Sequence, residues 1–128
     1  MSLARDVQRS LFALALTVLT ASAASAGPLP KKVGQCTETT VKSVEYRLVG
    51  APDSGSAISY VNGGYQVSYE AVPAIRASRR GDPIRLCLIE LPTDCPPGDE
   101  RGKIYRATNL RTGKSWELPD SEHGCGGA

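Results

Sequence analysis

The first 26 residues have the pattern of a secretory signal peptide, and this feature constrains the fold more than any other. Arg5 and Arg9 give a basic start, residues 11–19 are apolar, and Ala24-Ser25-Ala26 matches the small-residue pattern that precedes signal-peptidase cleavage. The apolar stretch is shorter than the roughly 20 residues that cross a bilayer. We therefore favour a signal peptide over a membrane anchor or an N-terminal core helix, with cleavage after Ala26.

Loss of this leader leaves about 100 residues, enough for one compact domain. The full chain has a formal net charge of +2, and cleavage lowers it by one because two arginines and one aspartate are removed. A nearly neutral domain has little electrostatic attraction to nucleic acid or to an anionic membrane, so we expect neither as a partner. The leader also carries the only Phe and the only Met. The mature core must therefore consist of Val, Ile, Leu, Tyr and one Trp, a small supply that disulfides often supplement.

Four cysteines lie in the mature part, and an even number in a small exported domain is typical of two disulfides. Three pairings are open. We favour Cys87–Cys95, which closes a local loop, and Cys36–Cys125, which joins the two ends of the domain. Zinc binding is the alternative use, but none of the spacings is C-x₂-C or C-x₄-C, so we expect neither a metal nor another cofactor.

Alternation of apolar and polar residues predicts β-strands along the mature chain. Val44, Tyr46 and Leu48 fall on one strand face, and residues 50–55 (GAPDSG) form a turn cluster. The strongest hairpin signal is Asn62-Gly63-Gly64 between two alternating runs. In the second run the aromatic and apolar residues share one face and the polar residues the other: Tyr65, Val67 and Tyr69 against Gln66, Ser68 and Glu70.

The pattern continues in the C-terminal half. Pro73 limits residues 72–77 to a short helical turn. Residues 83–91 (PIRLCLIEL) are mostly apolar on both faces, which predicts a central strand buried on both sides and a largely buried Cys87 sulfur. A last hairpin pairs residues 103–108 with 114–118 and directs Trp116 toward the core.

Five to six short strands with frequent turn signals predict an all-β fold, a small antiparallel sheet or barrel. Residues 27–35 begin with GPLPKK and predict a flexible lead-in. The expected organisation is a signal peptide over 1–26, the lead-in over 27–35, and a single disulfide-bonded domain over 36–128.

Residues with catalytic potential are few. Asp94, Asp99 and Glu100 cluster in the loop after the central strand and, together with His123, are candidates for a small hydrolase. Surface ion pairing is the interpretation that we favour, because two basic residues lie beside them, Arg101 and Lys103. His123 lies in a polar, Gly-rich tail, where an exposed residue is more common than a general base or a metal ligand. We therefore assign no catalytic, metal-binding or cofactor-binding residue.

One candidate binding surface is the loop over residues 91–98, which a disulfide would hold rigid. A rigid loop of this kind suits an inhibitor of an exported hydrolase, because its ordering cost is met by the fold. Its candidate contact residues are Leu91, Pro92, Asp94, Pro96, Pro97 and the adjacent Asp99.

A second candidate surface is aromatic. Tyr and Trp are enriched in interface hot spots, but a domain without Phe also needs them for its core, and we favour the core. The residues concerned are Tyr60, Tyr65, Tyr69, Tyr105 and Trp116. Four arginines, clustered in sequence, are candidates for a basic patch, although a solvated turn is the favoured interpretation: Arg76, Arg79, Arg80 and Arg85.

Several segments of the mature chain resemble a group of short exported alphaproteobacterial proteins. They are GDPIRLCL (81–88), CPPGDERG (95–102), NLRTG (109–113), WELPD (116–120) and the ending HGCGGA (123–128). The segments GQC (34–36) and NGGYQVSY (62–69) fit the same group. The resemblance implies export and paired cysteines; it carries no activity and transfers no catalytic residue.

Together these observations predict a periplasmic or secreted, monomeric protein that acts as a non-enzymatic binding or structural module of the cell envelope. Its partner is expected to be a protein or another envelope component, without stable membrane insertion after cleavage. The two alternatives are the inhibitor and the small hydrolase described above.

Overall fold

The computed structural model describes residues 13–19 and 26–127. Most of the predicted signal peptide and the terminal Ala128 lie outside the described residues. Along the described chain the elements are β1 Cys36–Leu48, β2 Ala51–Tyr60, β3 Tyr65–Ser68, α1 Pro73–Arg76, β4 Pro83–Glu90, β5 Ile104–Asn109, β6 Ser115–Pro119 and a 3₁₀ turn Cys125–Gly127. No helix among them is long and apolar enough to cross a membrane.

All six strands belong to one antiparallel sheet with the order β3-β2-β1-β4-β5-β6, which confirms the all-β prediction. The long strand β1 is shared between two halves of this sheet. Its first part pairs with β4 from Cys36 to Thr40, and its second part pairs with β2 from Val41 onward. A register shift between Val41 and Ser43 marks a β-bulge where the strand passes from one partner to the other. Bulges bend a strand and increase its twist.

The two edge strands, β3 and β6, contact each other, so the bent sheet closes around one core. Gln66 of β3 is fully buried at this closure. Its amide nitrogen donates to the carbonyl oxygens of Tyr105 (2.8 Å) and Leu118 (3.1 Å), and its amide oxygen accepts from Tyr60 Oη (2.6 Å) and Trp116 Nε1 (3.0 Å). All four hydrogen-bonding positions of the amide are therefore used. The buried hydrophobic cluster around it contains Val41, Ile58, Tyr60, Ile75, Ile84, Leu86, Leu88, Tyr105, Ala107 and Trp116.

Both predicted hairpins are confirmed, because each depends on a local turn signal. Gly63 adopts a φ of 88° in the turn between β2 and β3, a conformation that glycine reaches without a steric penalty. The final hairpin pairs Ala107 with Trp116, and Trp116 is buried as predicted. The short helical turn is also confirmed: α1 begins at Pro73, where a missing amide hydrogen costs no helical hydrogen bond.

Two local predictions are wrong. Residues 51–55 do not form a turn but begin β2, and only Val49 and Gly50 turn between β1 and β2. β4 is an inner strand of the sheet, yet only one of its faces is buried: Ile84, Leu86 and Leu88 are inaccessible, while the opposite face is partly or fully exposed. No second layer covers that side within the described chain, and the Cys87 residue on it is only half-buried.

The predicted disulfide pairing, Cys87–Cys95 with Cys36–Cys125, is also wrong. The bonds are Cys36–Cys87 and Cys95–Cys125. The first follows from the register of β1 and β4, which places Cys36 directly opposite Cys87, with Cα atoms 4.0 Å apart and both side chains on the same face. The second ties the loop after β4 to the C-terminal tail. The prediction of two disulfides is confirmed, and their pairing is set by long-range contacts.

The predicted lead-in contacts the sheet. The Gly27 amide donates to the Glu38 carbonyl (2.9 Å), and Asn62 Nδ2 donates to the Gly27 carbonyl (3.0 Å). Leu29 packs against the core, and Pro30 is buried.

The turn between α1 and β4 is held by a buried carboxylate. Asp82 accepts hydrogen bonds from Arg111 Nε (2.6 Å), Asn109 Nδ2 (2.9 Å) and the Arg79 amide (2.8 Å). The Arg111 hydrogen bond is the main reason why the pKa of Asp82 lies well below its usual range, with Asn109 and the Arg79 amide acting in the same direction. This network joins the α1–β4 turn to the β5–β6 turn.

Candidate functional site

The turn of the β1–β2 hairpin, with the residues beside it, forms a projecting surface that we name the hairpin tip (residues 44–52). It extends past β4 because only residues 36–40 of the 13-residue strand β1 pair with that strand. Three large apolar side chains are exposed there: Tyr46 at 40%, Leu48 at 48% and Val49 at 99%. Clustered exposed apolar residues mark interaction surfaces more often than isolated ones do.

A cavity of about 650 Å³ lies beside the hairpin tip, within the size range of ligand pockets. Its lining residues are Val44, Glu45, Tyr46, Val49, Gly50 and Arg76. The Arg76 guanidinium lies 4.9 Å from the centre of the Tyr46 ring, and its Nη2 donates to the Pro52 carbonyl at 2.8 Å. Glu45 is the one acidic lining residue, but strand alternation directs its side chain to the face opposite Val44 and Tyr46. The cavity therefore combines an apolar wall with the positive charge of Arg76.

The position of Arg76 follows from the anchoring of α1. Ile75 is fully buried in the core, and the Val72 amide donates to Ser56 Oγ of β2 at 2.9 Å. These two contacts fix the short helix against the hairpin. Arg76, the last residue of α1, therefore extends across the inner face of the tip.

The opposite face of the hairpin tip is held by Arg47. Its guanidinium stacks 4.2 Å from the Tyr69 ring centre, its Nε donates to the Ser54 carbonyl (2.6 Å), and its Nη1 pairs with Glu122 of the C-terminal tail (3.1 Å). Ser54 Oγ in turn accepts from the Leu48 amide at 2.9 Å. The tip is therefore braced on the face opposite the cavity, which lowers the entropy that a partner would have to remove on binding.

Two of the carboxylates singled out in the sequence have separate basic partners. Asp99 forms an ion pair with Arg101 (2.9 Å) and accepts from the Gly126 amide (3.0 Å), while Glu100 pairs with Lys103 (3.3 Å). The hydrogen bond from Arg101 is the largest cause of the lowered pKa of Asp99, and the Gly126 amide adds to it. The favoured interpretation of ion pairing is confirmed for these two carboxylates.

Neither Asp94 nor His123, the other two members of the hydrolase hypothesis, forms an ion pair with a described residue. Asp94 is exposed, with a φ of 56°, and His123 is exposed in the tail. Within the described residues, the His123 imidazole forms no hydrogen bond with any of the three carboxylates. Nor does any group of three His, Cys, Asp or Glu residues in residues 13–19 and 26–127 have a metal-binding arrangement.

The loop predicted to bind a partner is exposed and constrained. Leu91 is 41% exposed, and Pro96 and Pro97 are both exposed. Cys95 fixes this loop to the tail through its bond to Cys125. The disulfide constrains the loop, as the inhibitor hypothesis requires, and none of the residues 91–98 lines the cavity.

Most of the aromatic residues considered as a binding face build the core. Tyr60, Tyr105 and Trp116 are buried, Tyr65 is half-buried, and only Tyr69 is largely exposed. Burial is the main reason why the pKa of Tyr60 and of Tyr105 is raised. The favoured core interpretation is confirmed for the three buried residues.

The four arginines are spread over different surfaces. Arg76 faces the cavity, Arg79 and Arg80 are exposed in the turn before β4, and Arg85 lies on the open face of β4. Sequence reasoning missed the hairpin tip because its turn cluster was placed over residues 50–55. The signal that could have found it was Tyr46, Leu48 and Val49 close to Gly50.

Comparisons of the chain with protein-family models, with curated proteins and with solved structures found no match. The candidate site is therefore defined by the exposed residues, the cavity and the arginine contacts of the hairpin tip.

Proposed function

We propose that this protein is a non-enzymatic binding module of the cell envelope, exported to the periplasm or secreted, that holds a protein partner at its hairpin tip. The observation that carries the proposal is the exposed apolar group Tyr46, Leu48 and Val49 on a braced hairpin beside a 650 Å³ cavity. Tyr and Arg are both enriched in interface hot spots, and here Arg76 stacks on Tyr46. Two disulfides are compatible with an oxidising compartment.

The test is whether the purified protein captures a partner from a periplasmic extract of the cells that produce it. The wild-type protein is immobilised and exposed to periplasmic extract, and captured proteins are identified and quantified. A double variant, Leu48→Asp with Val49→Asp, is expected to lose capture because it places two charges in the contact surface. Val61→Asp is the matched control, since Val61 is 58% exposed in another turn. Circular dichroism verifies that every variant is folded.

A specific, saturable partner that binds wild type and Val61→Asp but not the tip variant supports the proposal. The absence of any such partner, or equal capture by the tip variant, contradicts it.

A second candidate function is the inhibition of an exported hydrolase through the loop over residues 91–98. The observation that favours it is an exposed, proline-containing loop fixed by Cys95–Cys125. The same capture assay separates the two candidates. Leu91→Asp with Pro97→Gly would abolish capture if the loop were the contact surface, and would leave capture intact if the hairpin tip were.

A further inference from the structure

The backbone of β1 has an open edge beyond its pairing with β4. β4 begins at Pro83, opposite Thr40, and the chain just before it still exchanges hydrogen bonds with Val41: the Val41 amide donates to the Asp82 carbonyl (3.0 Å) and the Gly81 amide to the Val41 carbonyl (2.8 Å). Past Val41, no strand of the described chain pairs with this side of β1. Five residues of β1, 44–48, run along the open edge.

The strand register shows which residues of β1 direct their backbone N–H and C=O groups toward the open edge and away from β2. The Tyr60 amide donates to the Gly64 carbonyl, so the backbone of Tyr60 faces β3, and by alternation the backbone of Ile58 does the same. Val44 lies opposite Ile58, in a pair that exchanges no hydrogen bonds across β1 and β2. The backbone N–H and C=O groups of Val44, and two residues later those of Tyr46, therefore face the open edge.

The same two residues line the cavity, and alternation places their side chains on one face of β1. An incoming strand that hydrogen-bonds to Val44 and Tyr46 would therefore place alternate side chains over this cavity. Arg76 lies at the same place, and no described carboxylate forms an ion pair with it. Unpaired backbone groups suit an extended peptide, an apolar cavity suits aliphatic side chains, and a cation suits a carboxylate.

We propose that the partner contributes an extended segment that adds as a strand to the open edge of β1, with aliphatic side chains over the cavity and a carboxylate beside Arg76. This inference rests on the proposed function, because it names the kind of segment bound at the same hairpin tip. Strand addition uses main-chain hydrogen bonds for affinity and pockets at alternate positions for specificity. The added strand continues the line of β4 and requires about four to five residues to span the open edge.

The probe for this proposal is a synthetic, end-capped heptapeptide of sequence TDTVTVT carrying a fluorophore, in which the aspartate and the two valines lie on the same face of the extended peptide. Its control is the same peptide N-methylated at the aspartate and valine nitrogens, which removes the hydrogen-bond donors along the edge that would face β1 and keeps the side chains. Binding is measured by fluorescence anisotropy, and amide hydrogen exchange is measured with and without the peptide. We expect N-methylation to weaken binding at least about tenfold, and the peptide to slow exchange at Val44 and Tyr46 about tenfold or more.

Substitutions in the protein test the same open edge of β1. Val44→Pro removes the amide hydrogen that faces the open edge and leaves the hydrogen bonds between β1 and β2 in place. Edge strands tolerate proline at positions of this kind. Val44→Thr is the matched control, because it keeps the amide and the branched shape. We expect Val44→Pro to abolish peptide binding and Val44→Thr to retain it. Arg76→Gln should weaken binding several-fold, by the loss of a charge-assisted hydrogen bond.

Three results would overturn strand addition: no binding of the peptide, equal binding of its N-methylated form, or unchanged exchange at Val44 and Tyr46. Dimerisation of the free protein that Val44→Pro abolishes would also overturn it, since the edge would then bind a second copy. If the natural partner is captured through Leu48 and Val49 but Val44→Pro does not affect its capture, the binding function stands and strand addition fails.

Discussion

Replacing Gln66, a buried polar residue of the sheet, by leucine should strongly destabilise the domain. Gln66 is fully buried where β3 meets β5 and β6. Its amide oxygen is the acceptor for Tyr60 Oη at 2.6 Å and for Trp116 Nε1 at 3.0 Å. Leucine has a similar volume but no polar atom, so Gln66→Leu leaves both donors buried without this acceptor.

The magnitude follows from the number of groups left unpaired. A buried donor without an acceptor costs about 1–3 kcal/mol. Two such donors give about 4 kcal/mol, to which the carbonyl groups of Tyr105 and Leu118 add a smaller amount. The total is a large share of the 5–15 kcal/mol that typically stabilises a domain. Gln66→Leu should therefore unfold at a much lower denaturant concentration than the wild type.

The assay is guanidinium unfolding followed by circular dichroism and by the fluorescence of Trp116, the only tryptophan of the chain. Gln35→Leu is the matched control, because Gln35 is exposed and its amide oxygen accepts only from the nearby Lys32 and Lys31 amides. It should cost less than about 1 kcal/mol. In the Gln66→Leu background, Tyr60→Phe should restore part of the lost stability, since it removes one of the two unpaired donors. A cost for Gln66→Leu no greater than that for Gln35→Leu would refute the reasoning.

Three further predictions concern the turn carboxylate and the disulfides. Because Arg111 holds the pKa of Asp82 below its usual range, the ionised carboxylate stabilises the fold above the unfolded-state pKa of about 3.9, and this contribution is lost as the pH falls further toward the folded-state pKa. Urea titrations between pH 7 and pH 2 should therefore show a weaker acid dependence for Asp82→Asn; an unchanged dependence would contradict the assignment. Replacing both Cys95 and Cys125 by alanine should cost about 4 kcal/mol on the chain-entropy account, measured by thermal unfolding, and no loss would contradict it. Peptide mapping without reductant should yield two linked pairs, Cys36–Cys87 and Cys95–Cys125.

The parts of the fold that depend on neighbouring residues could be predicted from the sequence. Asn62-Gly63-Gly64 predicted the β2–β3 hairpin because a tight turn needs a residue that accepts a positive φ. Pro73 predicted a short helix for an equally local reason, its fixed φ and missing amide hydrogen. Alternation added the strands and hence the all-β class.

Features set by distant contacts could not be predicted in the same way. The register that places Cys36 opposite Cys87 pairs residues that are 51 positions apart, and no local sequence pattern indicates which residues of the two strands will face each other. Gln66 shows a related limit. Alternation assigned it to the polar face, but the residue is buried because four partners from three other strands satisfy its amide. A polar side chain predicts exposure only where no such partners meet it.

The hairpin tip depends both on a local turn signal and on contacts between distant residues. Gly50 does mark a turn, but the following Pro52 and Gly55 made the turn cluster look longer than it is. In the structure these residues lie in β2, and Gly55 has a φ of 119° where the Ser68 carbonyl approaches so closely that a Cβ atom would collide with it. The glycine is therefore required by strand packing. Gly55→Ala should disturb the β2–β3 contact, whereas Gly50→Ala, at a φ of 73° with open space around it, should cost only the strain of that conformation. Equal destabilisation by the two variants would contradict this account of why residues 51–55 form a strand and leave the apolar residues of the tip exposed.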